Sequence, residues 1–284
     1  MAKSIVKIKD YYKYLPDLKE SWLLLLIMIL GGSVLGGVVS VFVTLFTPSL
    51  YDWSTAISYP FMFLPPAIFI YFRVKYIRQG DSVPFDDPKF GRVGAPLFFL
   101  LLIPMVLASG VIIDPLSELL TMPEFFKKFL EQVSQNRLAG FVSLAILAPL
   151  MEEFFCRGII LKGLLKAMSP AKAILWSALM FGIMHLNPWQ ALPAFLIGVI
   201  LGWIYYKSRS IWAVIFIHFL NNSVSFLILV LFPYLPADAT LRDIIPGDLY
   251  YYVYFLSLIV MSIIILIIKK GYDQVISSQI QSGN

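Results

Sequence analysis

Eight apolar stretches, most of them long enough to cross a bilayer, recur along these 284 residues and leave little chain for a soluble domain. They run approximately Trp22–Phe46, Tyr59–Phe72, Gly94–Ile113, Leu138–Leu161, Ala173–His185, Leu192–Tyr206, Ile211–Phe232 and Tyr250–Ile268. About twenty apolar residues match the hydrocarbon thickness. Inside it, a chain must satisfy its own backbone hydrogen bonds. The predicted fold is therefore all-α, a polytopic integral membrane protein with about eight transmembrane helices. The second, fifth and sixth stretches are short and their ends are soft. With 14% charged residues, the chain falls well below the roughly 25% of a soluble domain. The first stretch is too long for a signal-peptide core and lacks a small-residue cleavage site, so it reads as a retained helix.

Charge in the loops tests that count. Lysines 3, 7, 9, 13 and 19 precede the first span, and the loop after it carries no basic residue. Basic residues return after span two (Arg73, Lys75, Arg78, Lys89, Arg92), after span four (Lys162, Lys166, Lys172), after six (Lys207, Arg209) and after eight (Lys269, Lys270). The intervening loops are neutral, mixed or acidic. This alternation is what the positive-inside rule requires, and it puts both termini in the cytoplasm. The expected organisation is a cytoplasmic N-terminal tail (1–21), a membrane domain (22–268, with a core at 138–232) and a loose C-terminal tail (269–284). A cell membrane is the natural location. The net charge of +5 belongs to these loops and implies the lipid bilayer as partner, not nucleic acid. A single cysteine, Cys156, excludes an intramolecular disulfide.

Several features read as packing. Gly32 with Gly36, and Gly198 with Gly202, are small-xxx-small pairs that let helices approach closely. Tyrosines and tryptophans near the span ends read as interface anchors. The stretch Met122–Val133, with three phenylalanines among lysines and glutamates, reads as an amphipathic helix in the outer interface. A lid role is the alternative for it.

The polar groups inside the spans do not read that way. Glu152, Glu153 and both histidines, His185 and His218, lie in apolar sequence, where a charged group costs about 2.5–3.5 kcal/mol at a helix centre. Glu153 and Arg157 are four apart and can pair on one helix face. Glu152 points about 100° away and has no such partner in its own helix. Pro149 removes a backbone donor just before them, which leaves the Ala145 carbonyl without a partner in α-helical register. Phe181 with His185, and His218 with Asn222, repeat the four-residue spacing. At about 1.5 Å per residue, Glu152 lies ~15 Å from Lys162, His185 ~20 Å from Lys172 and His218 ~14 Å from Arg209. All three basic residues belong to the cytoplasmic set, so the side chains can share one level, biased toward the cytoplasm.

A carboxylate and an imidazole can jointly hold and deprotonate a water, and an imidazole with an amide can stabilise an oxyanion. Glu152, His185 and His218 are also a three-ligand zinc set. Zn2+ or another divalent metal and a metal-free glutamate mechanism stand equally open. Cys156 shares a face with Glu152, but a cysteine in an apolar span is more often inert filler.

Glu-Glu-x-x-x-Arg (Glu152, Glu153, Arg157), Phe-x-x-x-His (Phe181, His185) and His-x-x-x-Asn (His218, Asn222), in this order on three spans, resemble the CPBP family of intramembrane proteases. That family includes the type II CAAX prenyl endopeptidases and bacteriocin-processing or immunity-type proteins. The resemblance implies that Glu152 and His185 activate water and that His218 and Asn222 stabilise the oxyanion. Glu153, Arg157 and Phe181 would support them. The expected activity is an intramembrane endopeptidase acting from the cytoplasmic side on a membrane-bound or membrane-proximal peptide. A proton- or ion-coupled transporter and a non-catalytic, immunity-type peptide binder are the rival classes.

Overall fold

The computed structural model describes residues 14–76, 86–119, 121–236 and 238–282. Four of the N-terminal lysines, Arg78 and the first two interface tyrosines, Tyr11 and Tyr12, lie outside the described residues. Among the described residues there are helices and no strand. We number the helices α1 (Leu18–Phe46), α2 (Pro48–Val74), α3 (Ala95–Leu116), α4 (Glu124–Gln135), α5 (Arg137–Ala167), α6 (Pro170–Met184), α7 (Pro188–Ser208), α8 (Ile211–Leu231) and α9 (Leu249–Ser282).

Seven of these are long and apolar enough to cross a membrane. The exceptions are α4, which is amphipathic, and α6, the fifth expected span, which has only 15 residues. The expected count of eight therefore becomes seven long spans and one short helix inside the bundle. The second span begins earlier than the hydropathy indicates, because turns of 3-10 helix at Pro48–Trp53 lead into it. The last helix continues through Ser282, so the stretch from 271 to 282, read as a loose tail, is helical.

Helix ends are set by local chemistry. Asp17 caps α1, its carboxylate accepting from Glu20 N–H at 2.8 Å. Asn187 caps α7, accepting from Gln190 N–H at 2.8 Å, with Pro188 at the first helical position. Ser210 caps α8, and Asp86 accepts from Ile211 N–H at 2.9 Å. Side-chain acceptors of this kind satisfy the orphan donors of a first turn. Burial pushes the Asp86 carboxyl above its ordinary value, partly offset by that N–H bond.

The loops sort into two groups. At one end, Gln132 donates to Tyr51 (2.8 Å), Asn136 donates to Asp52 (3.1 Å), and Trp189 packs against Phe125 and Phe126 of α4. At the other end, Lys89 N–H donates to the Ser208 carbonyl at 2.6 Å, the Tyr272 hydroxyl donates to the Lys89 carbonyl, and Arg73 pairs with Glu20. The basic loops gather at this second end, which is the partition the sequence charges imply.

The glycine pairs are contact points. A Cβ on Gly198 would lie 3.1 Å from the Ala178 Cα, and one on Gly202 would lie 3.0 Å from Ile174. These two glycines bring α7 against α6, and Gly32 likewise meets the Met62 carbonyl oxygen of α2.

Candidate active site

Helix α5 carries the acidic pair and is irregular on both sides of it. Val142–Leu147 and Phe154–Leu161 are π-helical, flanking an ordinary α-turn at Ala148–Glu153. π-Helical turns are rare and concentrate at functional sites. Here Pro149 accounts for part of the irregularity. Ala148 N–H bonds to the Ser143 carbonyl, five residues back. In that register the next donor, at Pro149, would serve the Leu144 carbonyl, and proline has none. Asn222 of α8 supplies it, its Nδ2 donating to the Leu144 oxygen at 2.8 Å. The orphaned carbonyl expected at Ala145 thus falls one residue earlier, because π geometry shifts the pairing by one.

The two glutamates live in different surroundings. Glu153 is fully buried, and its Oε1 accepts from Arg157 Nη1 at 2.9 Å and from His218 Nδ1 at 2.8 Å. Arg157, also fully buried, donates through Nη2 to the Gly198 carbonyl at 3.1 Å and sits 4.5 Å above the Phe181 ring. This group ties α5 to α6, α7 and α8 in one knot. Glu152, 7% exposed, accepts at Oε1 from the Tyr59 hydroxyl of α2. Its Oε2 is buried and without a hydrogen-bond partner, and faces His218 Nε2 at 3.8 Å.

The histidines are distributed differently from expectation. His218, not His185, stands beside Glu152, and its other nitrogen is held by Glu153. His185 caps α6, and its Nδ1 donates to the Phe181 carbonyl at 2.8 Å. Neither a hydrogen bond nor an ion pair joins it to Glu152. A carbonyl can only accept, so in the neutral ring the proton sits on Nδ1 and Nε2 keeps its lone pair. Phe181 links the two imidazoles, its ring edge-on to both at 5.1 and 5.6 Å. Leu186, next in the chain, takes the left-handed conformation (φ 57°) in the turn that aims His185, a conformation that costs a non-glycine residue energy. Asn222, expected beside His218 on an oxyanion, spends one N–H on Leu144 and accepts from Asn221 at 3.1 Å. Its second N–H remains.

These positions also test a metal. Among the described residues no three His, Cys, Asp or Glu side chains gather into a group able to hold an ion. Glu152 and His218 offer two ligands and His185 does not join them, so the three-ligand set does not fit this arrangement. Cys156, 1% exposed, packs as an apolar side chain, and its carbonyl accepts from Ser177 at 3.2 Å. An apolar cleft of about 420 Å³ opens along the flank of α5, lined by Phe99, Ile146, Leu150, Trp212 and Phe216; Glu152, His185 and His218 do not line it.

Residues 134–224 match a family described as type II CAAX prenyl endopeptidase Rce1-like. The resemblance to an Rce1-like domain is confined to this segment. The segment contains all seven residues of the three motifs, and the match supports a CAAX-type intramembrane protease in general. No curated protein and no solved structure matches the chain. Tyr59 is the contact that sequence reasoning missed. It lies outside the Rce1-like segment and outside every motif. The one available signal was a phenol at the very start of the second apolar stretch, where it reads as an interface anchor.

Proposed function

We propose that the protein is an intramembrane endopeptidase in which Glu152 and His218 together hold and deprotonate the attacking water. The observation that carries this reading is the facing pair Glu152 Oε2 and His218 Nε2, 3.8 Å apart, one of them a buried oxygen with no partner. With Nδ1 donating to the Glu153 carboxylate, Nε2 of the neutral ring is an acceptor, as is Oε2. Neither can satisfy the other. A water seated beside the gap has two protons to give and lies within reach of both. Glu152 then takes a proton as the water oxygen attacks the peptide carbonyl, and delivers it to the leaving amine. The remaining N–H of Asn222 and the unengaged Nε2 of His185 are the groups left to meet the substrate. This reading exchanges the two histidines relative to the roles the family resemblance implies.

The Rce1-like match favours a membrane-bound or membrane-proximal peptide as substrate. The basic end is taken as the cytoplasmic side, which puts both termini there. The test is N-terminal proteomics of native membranes carrying wild type, Glu152→Ala or His218→Ala. New protein N-termini present in wild type and absent from both variants are the expected result, with a rate loss of about 100- to 10,000-fold. Wild-type processing by Glu152→Ala would sink the assignment.

A further inference from the structure

The site holds one polar contact that no motif covers. Tyr59 stands on α2, its ring 5.7 Å from Phe63, which in turn packs edge-on against Phe155 of α5 at 5.9 Å. This aromatic column sets the phenol beside the acidic helix. An ionised carboxylate only accepts, so the Tyr59 hydroxyl is the donor to Glu152 Oε1. An interface anchor would turn its hydroxyl to the headgroups, whereas this one points at a carboxylate inside the bundle.

The charged and polar groups around Glu152 divide cleanly. Arg157 is committed to Glu153, and His218 Nδ1 is committed to Glu153 as well. His218 Nε2 is too far for a direct bond. The phenol is therefore the one hydrogen-bond donor that Glu152 has among the described side chains. It occupies one carboxylate oxygen and fixes the plane of the group. The other oxygen, Oε2, is then left turned toward the gap with His218.

We infer that Tyr59 is a positioning residue for hydrolysis, holding Glu152 through Oε1 so that Oε2 meets the water. The inference rests on the proposed water-activating role of Glu152 and adds a residue from the second span to a machinery otherwise confined to residues 134–224. Without the hydroxyl, the carboxylate can rotate and its spare oxygen loses its aim. Substrate contacts do not change, so the loss falls on turnover and not on binding.

The test uses the full-length protein in its native membrane, followed by kinetics on peptides spanning the N-termini that wild type generates. Tyr59→Phe keeps the ring and its packing on Phe63. It is expected to lower kcat by about 10- to 100-fold, the effect of a lost bond to a charged group, with KM within about twofold and an unchanged unfolding temperature in detergent. Wild-type kcat in Tyr59→Phe overturns the positioning role, as does a rate loss that appears only alongside a fall in unfolding temperature. Termini unaltered by Glu152→Ala overturn the hydrolase reading itself, and the role of Tyr59 with it.

Discussion

Helices α5 to α8 and helices α1, α2 and α9 share one bundle but solve opposite problems. The first group buries charge: Glu153 and Arg157 are wholly shielded and His218 nearly so. The second presents apolar side chains outward, including Leu30, Phe46, Tyr71 and Phe255, and turns aliphatic side chains such as Leu24, Met28 and Ile268 inward. Buried charge is tolerated only where several helices converge to satisfy it. The Arg157 guanidinium does this with a carboxylate from its own helix, a carbonyl from α7 and a ring from α6. On the outer helices a single polar side chain, Tyr59, reaches into that centre.

Removing the centre of the charged knot should produce the largest structural effect. Arg157→Ala strands the buried Glu153 carboxylate, and a cost of about 3–5 kcal/mol is expected. Expression and thermal unfolding in detergent measure it, and a well-expressed variant with wild-type stability would break the contrast between the two groups. Glycine contacts come next. A Cβ on Gly182 would lie 2.7 Å from the Ala191 carbonyl oxygen, whereas one on Gly37 in α1 meets nothing within 4 Å. Gly182→Ala should cost about 1–3 kcal/mol through overpacking and Gly37→Ala close to nothing, read from the same unfolding curves. Equal effects would show that the outward face of α1 is as tightly constrained as the contact between α6 and α7. The smallest effect is expected at the periphery. Lys127 pairs with Asp238 at 2.6 Å in a partly solvated position, and Lys127→Ala should cost about 0.2–1 kcal/mol, falling further in high salt.

Much of this contrast was legible in the sequence. Hydropathy and alternating loop charge located the spans and separated the two ends. The i,i+4 spacing found the Glu153–Arg157 pair, and the small-residue spacing marked Gly198 and Gly202 as points of close approach, without naming the helix they meet. What escaped had physical reasons. The π-helical turns of α5 add residues per turn, so faces counted at 100° per residue drift from Val142 onward. The choice of which histidine meets Glu152 depends on how helices distant in sequence are rotated, and spacing along one helix carries no information about that. Tyr59 is 93 residues from its partner and sits in a segment rich in ordinary aromatics, so only the fold could separate it from an anchor.

The brevity of α6 has a consequence beyond its own packing. Fifteen residues rise about 22 Å, against roughly 30 Å of hydrocarbon. A lipid-facing helix of this length would leave several ångströms unspanned, but α6 packs against α5 and α7 inside the bundle. The amphipathic α4 packs its Phe125 and Phe126 on Trp189 of α7 at that end. The depth of His185 is thereby set by how α6 seats on α5 and α7, and not by the thickness of the bilayer around the bundle.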